Sequence, residues 1–131
     1  MTVPGAPAAD APHFPGRAAI EAYGDGGFRF AGMSHRGSLL IVPSGMYAWP
    51  PAGPEALVPE SFARVLAEAS GIGVFLFGTG AQQVFPAKSL RQAFQAAGLT
   101  IEAMDTGAAV RTYNVLLAEA RPVAAALIAV G

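Results

Sequence analysis

Between Ile72 and Val130 the spacing of apolar residues alternates between the period of a strand and the period of a helix, and this restricts the fold more than any other feature. Ile72–Phe77 is an unbroken apolar run bounded by glycines, the pattern of a strand buried on both faces. Leu90, Ala93, Phe94 and Ala97 follow the i, i+3, i+4, i+7 stripe of an amphipathic helix, with Gly98 placed to cap it. Leu99–Met104 returns to a strand pattern. Asp105 or Thr106 then caps a second helix reaching to about Glu119. Val123–Val130 is an Ala-rich apolar strand. Strand–helix–strand–helix–strand predicts a layered α/β domain in which helices cross over between parallel strands. The 28 alanines suit such a fold, because small side chains let helices lie close on a central strand.

The first half of the chain reads differently. Met1–Gly16 holds four prolines, four alanines and two glycines without periodicity, and is expected to be an arm that at most drapes over the domain. Arg17–Tyr23 and Phe28–Ala31 read as strands joined by the tight turn Gly24-Asp25-Gly26-Gly27. Met33–Gly37 reads as a polar loop. Ser38–Val42 reads as a buried strand closed by Pro43, and Met46–Trp49 as a further one before the Pro-rich stretch Pro50–Pro54. Phe62, Val65, Leu66 and Ala69 form another helical stripe, with Pro59 in its first turn and Ser70-Gly71 as its stop. The expectation is one α/β domain over residues 17–131, three-layered, its mixed central sheet drawing its antiparallel part from the N-terminal β-hairpin region.

Composition narrows the function classes. Hydrophobic residues make up 53% and charged residues 13%, so a folded core is assured and apolar surface is expected to remain for a partner or a second subunit. Eight basic against nine acidic residues, with no basic run, exclude a nucleic-acid surface. There is no cysteine, hence no disulfide, thiolate or Cys-ligated metal chemistry. The charge-free stretches 37–54 and 69–87 are interrupted by Gly and Pro, so neither reads as a membrane span. No signal sequence is evident at the N-terminus, which predicts a cytoplasmic protein that is not integral to a membrane.

Two constellations are candidate sites. Gly78-Thr79-Gly80 follows a buried strand, where glycines permit either a plain structural turn or close approach of an anion to backbone amides. It lacks the third glycine of a dinucleotide fingerprint, since Gln83 stands there, and Pro86 separates it from its helix. The second runs through Asp105, Thr106, Arg111 and Asn114. Asp105 serves as a helix cap, whereas Arg111 and Asn114 share the helix arc away from Tyr113, either as solvent-facing residues or as an anion-facing pair. Both constellations belong at the carboxyl ends of strands, where parallel sheets place binding crevices. Tyr47 and Trp49, in a charge-free Pro-flanked stretch, are read either as core or as a partner-docking patch. His13 in the arm and His35 in its loop read as exposed histidines without metal-ligand spacing, and Ser38 has no base or orienting acid in sequence. No catalytic constellation, cofactor motif or metal site is found.

Taken together, Ile20-Glu21-Ala22-Tyr23-Gly24, Gly26-Gly27-Phe28-Arg29, Gly78-Thr79-Gly80, Met104-Asp105-Thr106, Arg111-Thr112-Tyr113-Asn114-Val115-Leu116 and Val123-Ala124-Ala125-Ala126-Leu127 resemble the mitochondrial complex I assembly factor 3 family. The bacterial members of that family are grouped as a domain of unknown function. The resemblance spans Ala18 to Val130. It implies a three-layer domain with a mixed sheet and a non-enzymatic role in building the membrane-peripheral arm of NADH:ubiquinone oxidoreductase, with a protein partner and no cofactor. Where family members often carry Cys, this chain has Val110, and Arg121-Pro122 replaces a more basic junction. The alternative function is a small anion- or nucleotide-binding protein using the Gly78–Gly80 turn and the Asp105–Arg111 segment. A monomer and a homodimer are both compatible with the sequence.

Overall fold

The computed structural model describes residues 11–131. Eight strands form two sheets. β1 (Ile20–Gly24), β2 (Gly27–Phe30) and β3 (Met33–Arg36) make an antiparallel three-stranded sheet. The main sheet has the order β5-β4-β8-β6-β7. Its strands are β4 (Ser38–Val42), β5 (Gly45–Trp49), β6 (Val74–Gly78), β7 (Ile101–Met104) and β8 (Val123–Leu127). β6 runs parallel to both β7 and β8, as the crossover pattern predicts. β4 runs antiparallel to β5 and β8, so the sheet is mixed. Its antiparallel part comes from β4–β5, not from the N-terminal hairpin, which is a correction: that hairpin gains a third strand and forms its own sheet.

The extra strand went unseen because its turn is atypical. Asp25-Gly26 has positive φ at both residues (52° and 80°), the Asp-Gly signature of a two-residue hairpin. Ala31-Gly32 repeats that conformation (51° and 72°), and an alanine in the left-handed region carries no sequence signal. Glu21 steadies this second turn by accepting the Gly32 N–H (3.1 Å) while lying 3.5 Å from Arg29. In consequence Met33–Gly37 is mostly strand, and His35, expected in an exposed loop, is buried.

β8 is the centre of the main sheet, and all five of its residues are buried. Ala124 and Ala126 face one core, Val123, Ala125 and Leu127 the other. Over the first face lie a 3₁₀ turn (Pro59–Phe62), the short helix α1 (Ala63–Ala67) and α2 (Lys88–Ala96). The stripe starting at Pro59 thus opens as 3₁₀, is α-helical only over Ala63–Ala67, and ends in a second 3₁₀ turn at Ala69–Gly71. Over the second face lie α3 (Thr106–Ala118) and the small sheet. The architecture is therefore three-layered.

Phe62 fills the space that the alanines of β8 leave open. Its ring meets Trp49 at 5.2 Å, Phe94 at 5.2 Å, Phe77 at 5.5 Å and Phe75 at 6.0 Å, the last three edge-on. Tyr47 and Trp49 belong to this core (6% and 5% exposed), so the docking-patch reading of these two residues is overturned. Their polar tips are satisfied nearby: Trp49 Nε1 donates to Ser61 O (2.8 Å), and Tyr47 OH lies 2.6 Å from Ser44 Oγ. Removing the central ring in Phe62→Ala is expected to cost about 3–5 kcal/mol, measured by urea denaturation.

Candidate functional site

Of the sequence candidates, Gly78-Thr79-Gly80 and Asp105-Thr106 meet at the carboxyl ends of β6 and β7, beside the end of β8. Gly78 is confined there by close packing, since a Cβ would stand 3.0 Å from Leu127 and 3.1 Å from Thr106. Thr106, fully buried, is the knot of the junction. Its hydroxyl donates to Ile128 O (2.7 Å) and accepts the Gly80 N–H (3.0 Å), while its own N–H reaches Gly80 O (2.8 Å). Thr79 N–H is bound to Met104 O at 2.8 Å. The N–H groups that could have cradled an anion at Thr79 and Gly80 are thus already used within the protein. The plain-turn reading fits this geometry, and the anion-cradle reading loses its donors.

The second constellation is divided in the same way. Asp105 is the N-cap of α3, accepting the Ala108 N–H at 2.9 Å. Asn114 clamps β1: its Oδ1 accepts the Ile20 N–H (2.8 Å) and its Nδ2 donates to Ile20 O (2.9 Å). Asn114 is therefore not half of an anion-facing pair with Arg111. Arg111 remains exposed and, among the described residues, has no hydrogen-bond or ion-pair partner. One turn further inward, Tyr113 OH donates to Ala18 O (2.8 Å), and burial lifts its phenol above the ordinary tyrosine range despite the opposing influence of Arg17.

What the sequence reading missed is the loop that these anchors hold. Thr79 Oγ1 lies 2.5 Å from Gln82 O and accepts the Val84 N–H (3.1 Å). Gln83 Nε2 donates to Ala103 O on edge strand β7 (2.9 Å). Moored on both sides, the loop presents Phe85 with 85% of its surface in water, beside Val84 at 41%. The signal available in sequence was an apolar pair outside any helical or strand stripe, placed directly before Pro86. Val84 also borders a cleft of about 450 Å³ formed by residues 52–55, Thr79–Gln82 and 128–131. Glu55 is its one ionisable side chain among the described residues. A second hollow of about 410 Å³, on the small sheet, is bordered by Asp25, Arg29, Ser34, His35 and Arg36.

Among the described residues no three His, Asp or Glu side chains converge as a metal site would require, and no helix is long and apolar enough to cross a membrane.

A family profile described as "Protein of unknown function (DUF498/DUF598)" matches residues 20–128. An uncharacterised protein of Rhodobacter capsulatus is 38% identical over 117 residues, 89% of each chain. The mouse protein NADH dehydrogenase [ubiquinone] 1 alpha subcomplex assembly factor 3 is 29% identical over 88% of this chain, which spans 62% of that relative's length. A crystal structure described as an outer membrane protein from Bartonella henselae superposes with a TM-score of 0.87 at 52% identity, covering 91% of this chain and all of that one.

The two halves of the site separate in a stability measurement. Thr106→Val strands the Gly80 N–H and the Ile128 carbonyl, and should cost about 2–3 kcal/mol. Arg111→Ala should change stability by less than about 0.5 kcal/mol, as exposed substitutions do. Both are read from denaturant midpoints.

Proposed function

The chain belongs to the DUF498/DUF598 family, and from that footing we propose that it is a non-enzymatic, protein-binding assembly factor of the cytoplasm, docking its partner through Val84 and Phe85. Three relatives carrying the assembly factor 3 name, from mouse, rat and human, support the assembly-factor part of this reading. Their name points to NADH dehydrogenase as the complex being built, and we extend that role to this chain.

The single observation that carries the docking reading is Phe85. An exposed phenylalanine forfeits about 2 kcal/mol that burial would recover, so one on a loop tied at Thr79 and Gln83, next to the cleft that Val84 borders, is suited to bury itself in a partner. The cleft wall supplies a hollow for an apolar side chain, and Glu55 offers a counter-charge to a basic residue beside it. The polar groups at the strand ends are consumed in tying the fold together, which leaves the surface apolar contacts as the means of recognition.

The test is a tagged pull-down from the native host, with wild type, Phe85→Ser and Arg111→Ala side by side. Phe85 is solvated, so Phe85→Ser should leave stability within about 0.5 kcal/mol of wild type. It should nonetheless lose respiratory-complex subunits that wild type and Arg111→Ala both enrich. Equal enrichment by Phe85→Ser would refute docking through the loop. Enrichment lost only in Arg111→Ala would move the surface to α3.

A further inference from the structure

The chain has two histidines, and the fold brings them together across 22 positions: His13 Nδ1 and His35 Nδ1 lie 3.0 Å apart. His35 is buried in β3, whereas His13 sits on the exposed segment before β1. His35 Nε2 is 3.0 Å from the Ser38 carbonyl oxygen, which can only accept, so Nε2 carries the proton. In the neutral ring Nδ1 is then a bare acceptor, and His13 Nδ1–H is the donor that fills it. We propose that His13 and His35 form a proton-operated latch, strapping residues 11–16 across the outer edge of β5 and releasing them as pH falls.

The strap is a short piece of strand pairing. His13 N–H donates to Met46 O (2.7 Å), and Met46 N–H donates to Phe14 O (3.0 Å). Pro12 and Phe14 press on Gly45, where a Cβ would stand 2.7 Å from the Pro12 ring and 2.6 Å from Phe14 O. β5 is an edge of the main sheet, so the strap covers backbone groups that would otherwise face water or a foreign strand.

A single added proton leaves the bond intact, since the exposed His13 can turn a bare Nδ1 to His35; once both imidazoles are protonated, each presents N–H to the other at 3.0 Å and the acceptor is gone. Among the described residues no carboxylate is bonded to either imidazole, and Asp25, which borders the same hollow, is not among the influences on His35. The strap contributes His13, β2 contributes the apolar Phe28 and Phe30, and β4 contributes only the Ser38 carbonyl. Arg29 of β2 and Ser34 and Arg36 of β3 lie on the opposite, exposed face of the small sheet. Burial first, then the charge of His13, set the imidazole of His35 below its ordinary value of 6.5, against the pull of the Ser38 carbonyl. A group whose closed-state pKa is depressed binds more protons in the open state. Closure is therefore at full strength above about pH 6.5 and weakens as pH falls below it. Opening frees the N–H and C=O of Met46, the donor–acceptor pair that an added strand would use.

Amide hydrogen exchange on the full chain tests this, comparing Met46 at the edge with Leu40 in the interior strand β4. Between about pH 7.5 and about pH 5.5, the range in which histidine titrates, Met46 protection in wild type should fall about tenfold, as expected when one buried hydrogen bond becomes a repulsion, with Leu40 unchanged. His13→Ala should show weakened Met46 protection already at the higher pH and no further dependence on it. Gly45→Ala, which wedges a methyl under Phe14 O, should be open throughout and marks the released state. Flat Met46 protection in wild type, a retained pH dependence in His13→Ala, or loss of Leu40 protection in step with Met46 would each overturn the latch.

Discussion

The middle strand of the main sheet has almost no side-chain width, and the rest of the protein is arranged around that constraint. β8 offers Ala124 and Ala126 to one layer and Ala125 to the other, so both helical layers can approach the sheet closely. The volume the alanines do not occupy is taken on one side by Phe62 with its ring of aromatics, and on the other by Tyr113 and Val110 of α3. Interiors pack like organic crystals, so a narrow strand demands wide partners. That demand draws Tyr47 and Trp49 inward, even though their sequence surroundings resemble a docking motif.

The junction at the carboxyl ends of the strands shows how a binding-site pattern can be spent on structure. In other α/β domains the backbone amides after such a strand stay free for a ligand. Here the Thr106 hydroxyl links Gly80 to Ile128, and Asp105 takes the Ala108 amide in the first turn of α3. Asn114 and Tyr113 extend the same helix toward residues 18–20, tying the small sheet's first strand to the second layer. Beside this junction, Thr79 and Gln83 hold the loop that carries the exposed Phe85. Of the exposed large hydrophobic residues, which also include Val58 and Val115, Phe85 is the most solvated.

The parts of the fold legible in sequence were the apolar and periodic runs, β4, β5, β6, α2, β7, α3 and β8, together with the β1–β2 hairpin, its Asp25-Gly26 turn and the Asp105 cap. The parts that were not legible depend on conformations or contacts with no local code. β3 followed an alanine held in the left-handed region. His13 and His35 are 22 positions apart and became partners only because the segment paired with β5 passes beside β3.

The sequence by itself determined the layered α/β class, the parallel crossover unit and the family, because these follow from periodicity and from residues repeated in relatives. Tertiary structure alone decided which polar groups are free. Asp105, Thr106, Arg111 and Asn114 look equally available on paper, yet only Arg111 remains so among the described residues. The physical reason is that a buried hydrogen-bonding group must be satisfied wherever the chain places it, and the partner that satisfies it is named by proximity in space, not by spacing along the chain.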